Sequence, residues 1–331
     1  MTKVLVTGAG GFIGSTLCEK LLEKGYEVNA LCRYSSDNSI GWLKQIKKLE
    51  KLNIFFGDIV DPNIAKEAIP KDGYVINMAA LIGIPYSYLA PASYVNTNIY
   101  GALNYLTESL KKNIKGFIQT STSETYGTAQ YVPIDEAHPL VGQSPYAATK
   151  IGADQLALSY YKSFDLPVVV LRPFNTYGPR QSNRAFIPTV ISQILSEESD
   201  LINVGNLDSF RDFNFVEDTA NAFVAILENF ENCKGEVFNS CSNFQISMKQ
   251  VVEILKDISS TTKVLNIQEE RIRPEKSEVD RLWGDNSKII KATNWCPKYT
   301  GISGFEKGLE KTYKWFKNNG FDYNNVTRYI V

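Results

Sequence analysis

Residues 3–14 of this 331-residue chain read KVLVTGAGGFIG, and this stretch decides the fold. The run KVLVT is short, apolar and rich in β-branched residues, which predicts a buried strand, and Phe12–Lys24 has the spacing of an amphipathic helix. Gly8, Gly11 and Gly14 lie at the turn between them. Glycines in such a turn let backbone N–H groups approach a pyrophosphate, and the helix N-terminus adds partial positive charge. The stretch therefore predicts a dinucleotide-binding turn.

The next 160 or so residues repeat this alternation of strand and helix. Further strands are predicted at Glu27–Cys32, Asn53–Phe56, Tyr74–Met78, Gly116–Thr120 and Leu166–Leu171, and long helices at Ser93–Lys112 and Tyr146–Phe164. Strands that are apolar on both faces and alternate with helices predict an α/β fold, a doubly wound parallel sheet covered by helices on both sides.

Composition narrows the possible functions. Lys and Arg number 35 and Asp and Glu number 36, so the net charge of −1 argues against a dedicated nucleic-acid binder. The five cysteines are scattered without a C-x-x-C pair, and His138 is the only histidine, so we expect neither a disulfide framework nor a metal site. No apolar run approaches the ~20 residues of a membrane span, and residues 1–14 do not resemble a signal peptide. We therefore expect a cytoplasmic protein without a membrane partner.

The end of the second strand bears on the choice of cofactor. An NAD site usually has Asp or Glu there to hold the ribose 2′-hydroxyl. This chain has Cys32, followed by Arg33 and, two residues later, Ser35 and Ser36. Because an arginine and hydroxyls suit a 2′-phosphate, the sequence favours NADP, with NAD as the alternative. Asp58, after the third strand, is placed to accept from the adenine amino group or to cap its own turn.

A second group of polar residues predicts acid–base chemistry. The four-residue spacing of Tyr146 and Lys150 puts a phenol and an ammonium on one helix face. An ammonium and a nicotinamide cation both favour the phenolate, although lowering a tyrosine pKa by ~3 units takes about 4 kcal/mol. Thr122 is placed to hydrogen-bond a substrate hydroxyl. Glu124 is placed to remove a carbon-bound proton, or serves only as a turn residue or ion-pair partner.

Together these motifs resemble the extended short-chain dehydrogenases/reductases, which include the nucleotide-sugar epimerases and dehydratases. The resemblance covers nearly the whole chain and extends through RPFNTYGPR at residues 172–180. Within that group, residues 121–127 (STSETYG) are similar to the nucleotide-sugar 4,6-dehydratases, and GDP-mannose 4,6-dehydratase has a closely similar Thr-Ser-Glu. The dTDP-glucose enzymes have Thr-Asp-Glu, so Ser123 departs from them and leaves open which acid protonates the leaving hydroxyl. Residues 142–155 and 173–182 resemble the dehydratases of legionaminic acid synthesis, which act on nucleotide-linked N-acetylglucosamine.

The resemblance implies site residues in three groups. The implied catalytic residues are Thr122, Ser123, Glu124, Tyr146 and Lys150. The implied cofactor-binding residues are Gly8, Gly11, Phe12, Ile13, Gly14, Arg33, Ser36, Asp58, Ile59, Ala79, Ala80, Asn98, Tyr146 and Lys150. The implied substrate-binding residues are Asn175, Arg180, Arg184, Arg211 and Arg273, of which arginines suit phosphate oxygens because the guanidinium is a planar fork.

The resemblance also implies an organisation and an activity. We expect a Rossmann-type NAD(P)-binding domain at 1–172 and a smaller, mixed α/β sugar-nucleotide-binding lobe at 173–331, from which segments such as 212–230 return to the first domain. Helices are predicted in that lobe at Ile187–Glu198, Asp218–Phe230, Ser247–Ile258 and Gly304–Asn318. We expect a homodimer, with an apolar stripe at Ile151, Ala153, Leu156, Ala157 and Tyr160 that pairs with its copy or packs on the chain's own sheet.

The activity that the resemblance implies is that of a 4,6-dehydratase of GDP- or UDP-linked N-acetylglucosamine. A 4-epimerase or a reductase on the same fold is the alternative, and Glu124 counts against an epimerase because 4-epimerisation has no need of that carboxylate. A non-enzymatic NADP-sensing protein is a third reading, and the presence of Thr122, Tyr146 and Lys150 together argues against it. His138 is expected to be a loop residue rather than a base.

Overall fold

A computed structural model describes residues 1–271 and 279–319. Its strands, numbered in chain order, are β1 Lys3–Thr7, β2 Glu27–Arg33, β3 Leu52–Gly57, β4 Tyr74–Asn77, β5 Gly116–Thr120, β6 Val168–Pro173, β7 Asn175–Tyr177, β8 Leu201–Val204, β9 Phe210–Phe215, β10 Val237–Ser240, β11 Gln245–Ser247, β12 Val264–Ile267 and β13 Arg281–Leu282. Its α-helices are α1 Phe12–Glu23, α2 Pro62–Ala68, α3 Ile84–Leu89, α4 Pro91–Tyr94, α5 Gly101–Lys111, α6 Pro145–Phe164, α7 Phe186–Leu195, α8 Val216–Glu228, α9 Phe230–Cys233, α10 Met248–Ser259, α11 Ser287–Thr293 and α12 Gly301–Asn318.

Seven of these strands form one parallel sheet in the order β10-β6-β5-β4-β1-β2-β3. Alternate residues of a strand face opposite sides: Val4 and Val6 of β1 pack with Leu17 of α1 and Phe223 of α8, whereas Leu5 belongs to the apolar cluster beneath α5 and α6. The sheet is buried on both sides and confirms the predicted α/β Rossmann-type fold. The order in which the chain adds strands to the sheet reverses between β1 and β4, and such sheets bind ligands at this point, beyond the carboxyl ends of the strands.

The later part of the chain builds a smaller unit and also returns to the main sheet. A second sheet runs β11-β9-β13 with β7 also paired to β9, and β12 pairs in parallel with β8. A separate apolar core joins α7, α10 and α12 to these strands. However, β10 pairs with β6 at the edge of the first sheet, and α8 packs against α1. The division at residue 172 stays a prediction, and β10 and α8 are two later elements that pack on the first sheet and its helix α1.

The long helix predicted at Ser93–Lys112 is interrupted. Helix α4 already begins at Pro91, Val95–Tyr100 form a π-helical stretch, and α5 continues from Gly101. The wider turn carries Asn98, whose carboxamide accepts from the Leu81 N–H at 2.9 Å and donates to the Leu81 carbonyl oxygen at 3.0 Å. Insertions of this kind occur frequently at functional sites. Apolar periodicity is unable to predict the insertion, because its cause is a polar contact with a distant loop.

Candidate active site

The glycine turn has the shape of a phosphate cradle. Gly8 has φ +70°, and a Cβ there would lie 3.1 Å from the Ala79 backbone N. A Cβ on Gly14 would lie 2.3 Å from the Gly8 carbonyl oxygen, so α1 and β1 approach too closely for any side chain. Gly11 caps α1 without a side-chain hydrogen bond, which leaves the helix N–H groups available to an anion. These features fit the pyrophosphate of a dinucleotide.

The apolar residues predicted to bind the cofactor lie around this turn. Phe12 and Ile13, half-buried in the first turn of α1, pack against the core of the smaller lobe. Ala79 and Ala80 are half-buried after β4. Ile59 is buried and contacts the position of a Gly101 Cβ at 2.9 Å.

The residues predicted to bind the adenosine half of the cofactor lie at the protein surface. Arg33, Ser36 and Asp58 are exposed, and Asp58 accepts from the Val60 N–H at 3.1 Å, so it also caps its own turn. Cys32, in contrast, is buried, and its Sγ lies 3.5 Å from the position of a Gly10 Cβ. Burial raises the pKa of the Cys32 thiol, which therefore stays protonated beneath the glycine turn.

A buried polar network joins the ends of β1, β4 and β5. The Thr7 hydroxyl donates to Asn77 Oδ1 at 2.9 Å and accepts from the N–H groups of Met78 and Ala79, both at 2.9 Å. Asn77 donates in turn to Gln119 Oε1 at 3.0 Å. The network fixes the backbone around Ala79, next to the glycine turn.

Tyr146 and Lys150 are buried one turn apart at the start of α6. Ser144 caps the helix by accepting from the Ala147 N–H at 3.1 Å, and Pro145 pre-sets its first turn. Lys150 Nζ donates to the Thr120 carbonyl oxygen at 2.5 Å. Thr149, which lies between Tyr146 and Lys150 in the chain, accepts a hydrogen bond from the Asn98 carboxamide at 3.0 Å. The amide predicted to bind cofactor therefore also connects α6 to the loop after β4.

Burial and nearby charges set the protonation of this pair. Burial raises the pKa of the Tyr146 phenol above its usual range, and Glu124, Tyr94 and Asp154 add to the rise while a hydrogen bond with Thr122 opposes it. Burial lowers the pKa of Lys150 to about 8, against the attraction of Asp154. The phenol therefore needs a nearby positive charge to act as a base. Lys150 lies one turn away on α6, and a bound nicotinamide ring would add a second positive charge.

The turn that follows β5 carries the remaining predicted catalytic residues. Thr122 caps the 3₁₀ turn Ser123–Tyr126 by accepting from the Glu124 N–H at 3.2 Å. Ser123 is buried, whereas Thr122 and Glu124 are half-buried. The Glu124 carboxylate is near enough to raise the pKa of the Tyr146 phenol, and Lys150 lies one turn from Tyr146 on α6. A carboxylate, a phenol and an ammonium are therefore neighbours in this site.

Sequence reasoning missed a buried ion pair beneath this site. Asp154 and Arg172 are both buried and lie 3.2 Å apart. Asp154 follows Lys150 by four residues on α6, and that spacing was the available signal, because it puts both on one helix face. Tyr94 was also missed: its ring is 6.3 Å from that of Tyr146, and its phenol donates to the Gly83 carbonyl oxygen at 2.5 Å.

The predicted substrate-binding residues are dispersed. Asn175 is half-buried at the start of β7, and exposed Arg184 is close enough to lower the pKa of Tyr94, which burial raises. Arg211 is buried on β9 and donates to the Phe210 carbonyl oxygen at 2.9 Å. Arg273 lies outside the described residues.

Arg180 differs most from the prediction. Its guanidinium lies 3.3 Å from the Glu19 carboxylate and 3.4 Å from Ser15 Oγ, both on α1. It also donates to Gln45 at 3.4 Å. These contacts connect Arg180 to α1, and its substrate-binding role stays a prediction.

The described residues also bear on two further properties, membrane insertion and metal binding. In residues 1–271 and 279–319 no helix is long and apolar enough to cross a membrane. The same residues contain no group of three or more side chains able to hold a metal ion.

Curated proteins similar to this chain include both dehydratases and epimerases. The human dTDP-D-glucose 4,6-dehydratase is 28% identical over 98% of this chain and 93% of its own length. A UDP-glucuronate 4-epimerase of Thermodesulfobacterium geofontis is 32% identical over 95% of this chain and 96% of its own.

Solved structures show the same mixture. The UDP-glucuronic acid 4-epimerase of Bacillus cereus, in complex with UDP-glucuronic acid and NAD, aligns at a TM-score of 0.85 with 29% identity, covering 96% of this chain and all of its own. The dTDP-glucose 4,6-dehydratase of Bacillus anthracis, in complex with NAD, aligns at 0.81 with 27% identity, covering 96% and 97%. The described architecture is therefore that of the epimerases and dehydratases of this fold.

The sequence profile of the GDP-mannose 4,6 dehydratase family matches residues 5–312, nearly the whole chain. This confirms the resemblance to sugar-nucleotide dehydratases at the level of the family. With the glycine turn, the Tyr146–Lys150 pair and the Glu124 carboxylate placed as described, the chain belongs to the GDP-mannose 4,6 dehydratase family.

Proposed function

We propose that the protein is a nucleotide-sugar 4,6-dehydratase. The observation that carries the proposal is the position of Glu124, whose carboxylate is close enough to Tyr146 to raise the pKa of the phenol. Oxidation at C4 of a sugar needs only the phenol, the ammonium, a hydroxyl and a hydride acceptor. A carboxylate at the same place supplies the base that elimination of water also needs.

Each residue then has a chemical task. Tyr146 accepts the proton of the C4 hydroxyl, Lys150 stabilises the phenolate, and Thr122 orients the hydroxyl. The 4-ketone acidifies the C5–H bond, and Glu124 removes that proton as water leaves from C6. Ser123, buried next to Glu124 in the chain, is the remaining residue proposed as catalytic. The glycine turn would hold a nicotinamide cofactor, which would supply a hydride acceptor for C4 and the hydride returned to C6, so that the reaction has no net redox change.

For the cofactor, the proposal favours NADP over NAD. Relatives of this fold were solved with NAD, which supports a nicotinamide dinucleotide in the same place. Cys32 lacks the carboxylate that holds a ribose 2′-hydroxyl, and exposed Arg33 and Ser36 beside it suit a 2′-phosphate.

For the substrate, the proposal is GDP- or UDP-linked N-acetylglucosamine, converted to its 4-keto-6-deoxy derivative in a cytoplasmic route to legionaminic acid. The support is the resemblance of residues 142–155 and 173–182 to that subgroup. The proposed substrate-binding residues are Asn175, Arg180, Arg184, Arg211 and Arg273.

The proposal also includes a homodimer through α5 and α6. In the predicted apolar stripe, Ala153 and Ala157 are buried, while Ile151, Leu156 and Tyr160 are half-buried, and Leu156 and Tyr160 pack in part against the chain's own core. The proposed contact with a second copy is therefore the remaining accessible surface of these half-buried residues. Light scattering at micromolar concentration tests this part.

The experiment that tests the activity is incubation with UDP- and GDP-N-acetylglucosamine, followed by mass spectrometry. We expect loss of one water from one of the two substrates without consumption of added cofactor. A 4-epimerase is the second candidate, favoured by the similarity to UDP-glucuronate 4-epimerases. It would leave the mass unchanged and change the stereochemistry at C4.

A further inference from the structure

The buried pair Asp154–Arg172 touches both halves of the proposed catalytic site. Asp154 Oδ2 accepts from Arg172 Nε and Nη2, each at 3.2 Å, and from the Ser121 hydroxyl at 2.7 Å. Ser121 directly precedes Thr122, and Asp154 lies one turn after Lys150 on α6. One carboxylate oxygen therefore joins the start of the Glu124 turn to the helix that carries Tyr146 and Lys150.

The guanidinium holds the other end of that turn. Arg172 Nη1 donates to the Tyr126 phenolic oxygen at 3.1 Å, and the guanidinium carbon lies 5.0 Å from the centre of the Tyr126 ring. Tyr126 donates onward to Asn239 Oδ1 at 2.7 Å on β10. Ser121 and Tyr126 thus bracket Thr122 and Glu124, and both are fastened to the same ion pair.

Because Asp154 and Arg172 are buried, water and salt screen their charges only weakly. Asp154 Oδ1 is buried and accepts no hydrogen bond from any residue in 1–271 or 279–319. The groups that face Lys150 and Tyr146 are Asp154 on α6, Glu124 on the turn and Tyr94 on α4, with Arg172 on β6 behind Asp154. A buried ion pair is weak evidence of stabilisation, since desolvation offsets its attraction. Its arrangement calls for a functional explanation.

We propose that the Asp154–Arg172 pair is a positioning device, which holds the Glu124 turn against α6 and keeps a negative charge facing the Lys150 ammonium. Neither residue touches substrate; both act through Lys150, Thr122 and Glu124. The catalytic consequence rests on the proposed dehydratase function, whereas the effect on Lys150 does not.

Asp154→Asn tests the charge. We expect the pKa of Lys150, measured by NMR on ¹⁵N-lysine-labelled protein and assigned with Lys150→Arg, to fall by about 1 unit or more when the facing carboxylate is lost. The alkaline limb of the kcat–pH profile moves to lower pH with it. Ser121→Ala is the matched control, because it removes a hydrogen bond to Asp154 and keeps the charge. An unchanged Lys150 titration in Asp154→Asn overturns the proposal.

Tyr126→Phe tests the mechanical link and keeps the proposal falsifiable should Asp154→Asn fail to fold. We expect kcat to fall by about 10-fold with KM nearly unchanged, because the Glu124 turn loses its second attachment while all charges remain. Tyr105→Phe is the control: Tyr105 is equally buried, and its hydroxyl has no hydrogen-bond partner among the described residues. Wild-type kcat in Tyr126→Phe overturns the proposal. Absence of dehydration in the wild type with a shifted Lys150 titration in Asp154→Asn rejects only the proposed function.

Discussion

The Lys150 ammonium donates a hydrogen bond of 2.5 Å to the carbonyl oxygen of Thr120, the last residue of β5. This bond attaches α6 to the strand whose next residues carry Thr122 and Glu124. It also places a buried cation one helical turn from Tyr146, whose phenol has its pKa raised by burial and by nearby Glu124, Tyr94 and Asp154. The protonation states of Tyr146 and Lys150 therefore depend on the groups packed around them.

Tyr146→Phe should lower turnover by about 10²–10⁴-fold, because it removes the phenol that is proposed to accept the C4 hydroxyl proton. Dinucleotide binding, measured by calorimetry, should persist. Tyr160→Phe is the matched control on the same helix; it loses only a 2.8 Å hydrogen bond with Thr107. Near-normal turnover in Tyr146→Phe would remove the phenol from the mechanism.

Gly14→Ala should abolish dinucleotide binding and destabilise the fold, since its Cβ would lie 2.3 Å from the Gly8 carbonyl oxygen. Gly11→Ala is the graded comparison, with a φ of −78° and a nearest approach of 3.2 Å to the same oxygen. We expect a clearly smaller loss of thermal stability. Equal melting temperatures for the two variants would contradict this account of the turn.

Arg33→Leu should weaken NADP⁺ binding by about 10-fold or more and leave NAD⁺ binding nearly unchanged, because the guanidinium contributes only where a 2′-phosphate is present. Fluorescence titration with both cofactors measures the effect. Lys71→Leu, at an exposed position before β4, controls for the loss of one surface charge. Weak NADP⁺ and tight NAD⁺ binding by the unaltered protein would reverse the preference proposed.

Asp212 should make stability depend on pH. Burial raises the pKa of this carboxyl to about 7, against hydrogen bonds from Ser242 and Gly284. Between ~4 and ~7 the folded protein holds a proton that the unfolded chain has released, so stability falls as pH rises, by up to about 1.4 kcal/mol per unit, and levels off above ~7.

Asp212→Asn removes that titration. Urea unfolding at about pH 5 and about pH 8 should therefore show the variant gaining stability relative to the wild type as pH rises. Asp208→Asn, at an exposed carboxyl in the same region, should follow the wild type. Parallel curves for Asp212→Asn and wild type would contradict the assignment.

Much of the first sheet could be predicted from the sequence. The strands at Lys3–Thr7 and Gly116–Thr120 have the predicted bounds, because short β-branched runs between glycine turns and helices have few other solutions. The pairing of β12 with β8, and of β7 with β9, was not predictable in this way. Those partners are far apart in the chain, and nothing in a three- or four-residue strand specifies its neighbour.

The candidate site shows the same limit. Local spacing was enough to associate Tyr146 with Lys150 and Thr122 with Glu124. It was not enough to give the direction of the Arg180 guanidinium, which is set by Glu19 on a distant helix. The Asp154–Arg172 pair was missed for the same reason, since its members lie on different elements.

Glu124→Gln tests the central claim most directly. The enzyme is mixed with the nucleotide sugar that the wild type dehydrates, and cofactor absorbance and loss of water are followed together, with Glu253→Gln, exposed on α10, as the control. An amide is unable to take the C5 proton, whereas C4 oxidation needs only Tyr146, Lys150, Thr122 and a bound nicotinamide cofactor as hydride acceptor. We predict reduced cofactor accumulating on the enzyme with little or no loss of water. Full dehydratase activity in Glu124→Gln would contradict the account.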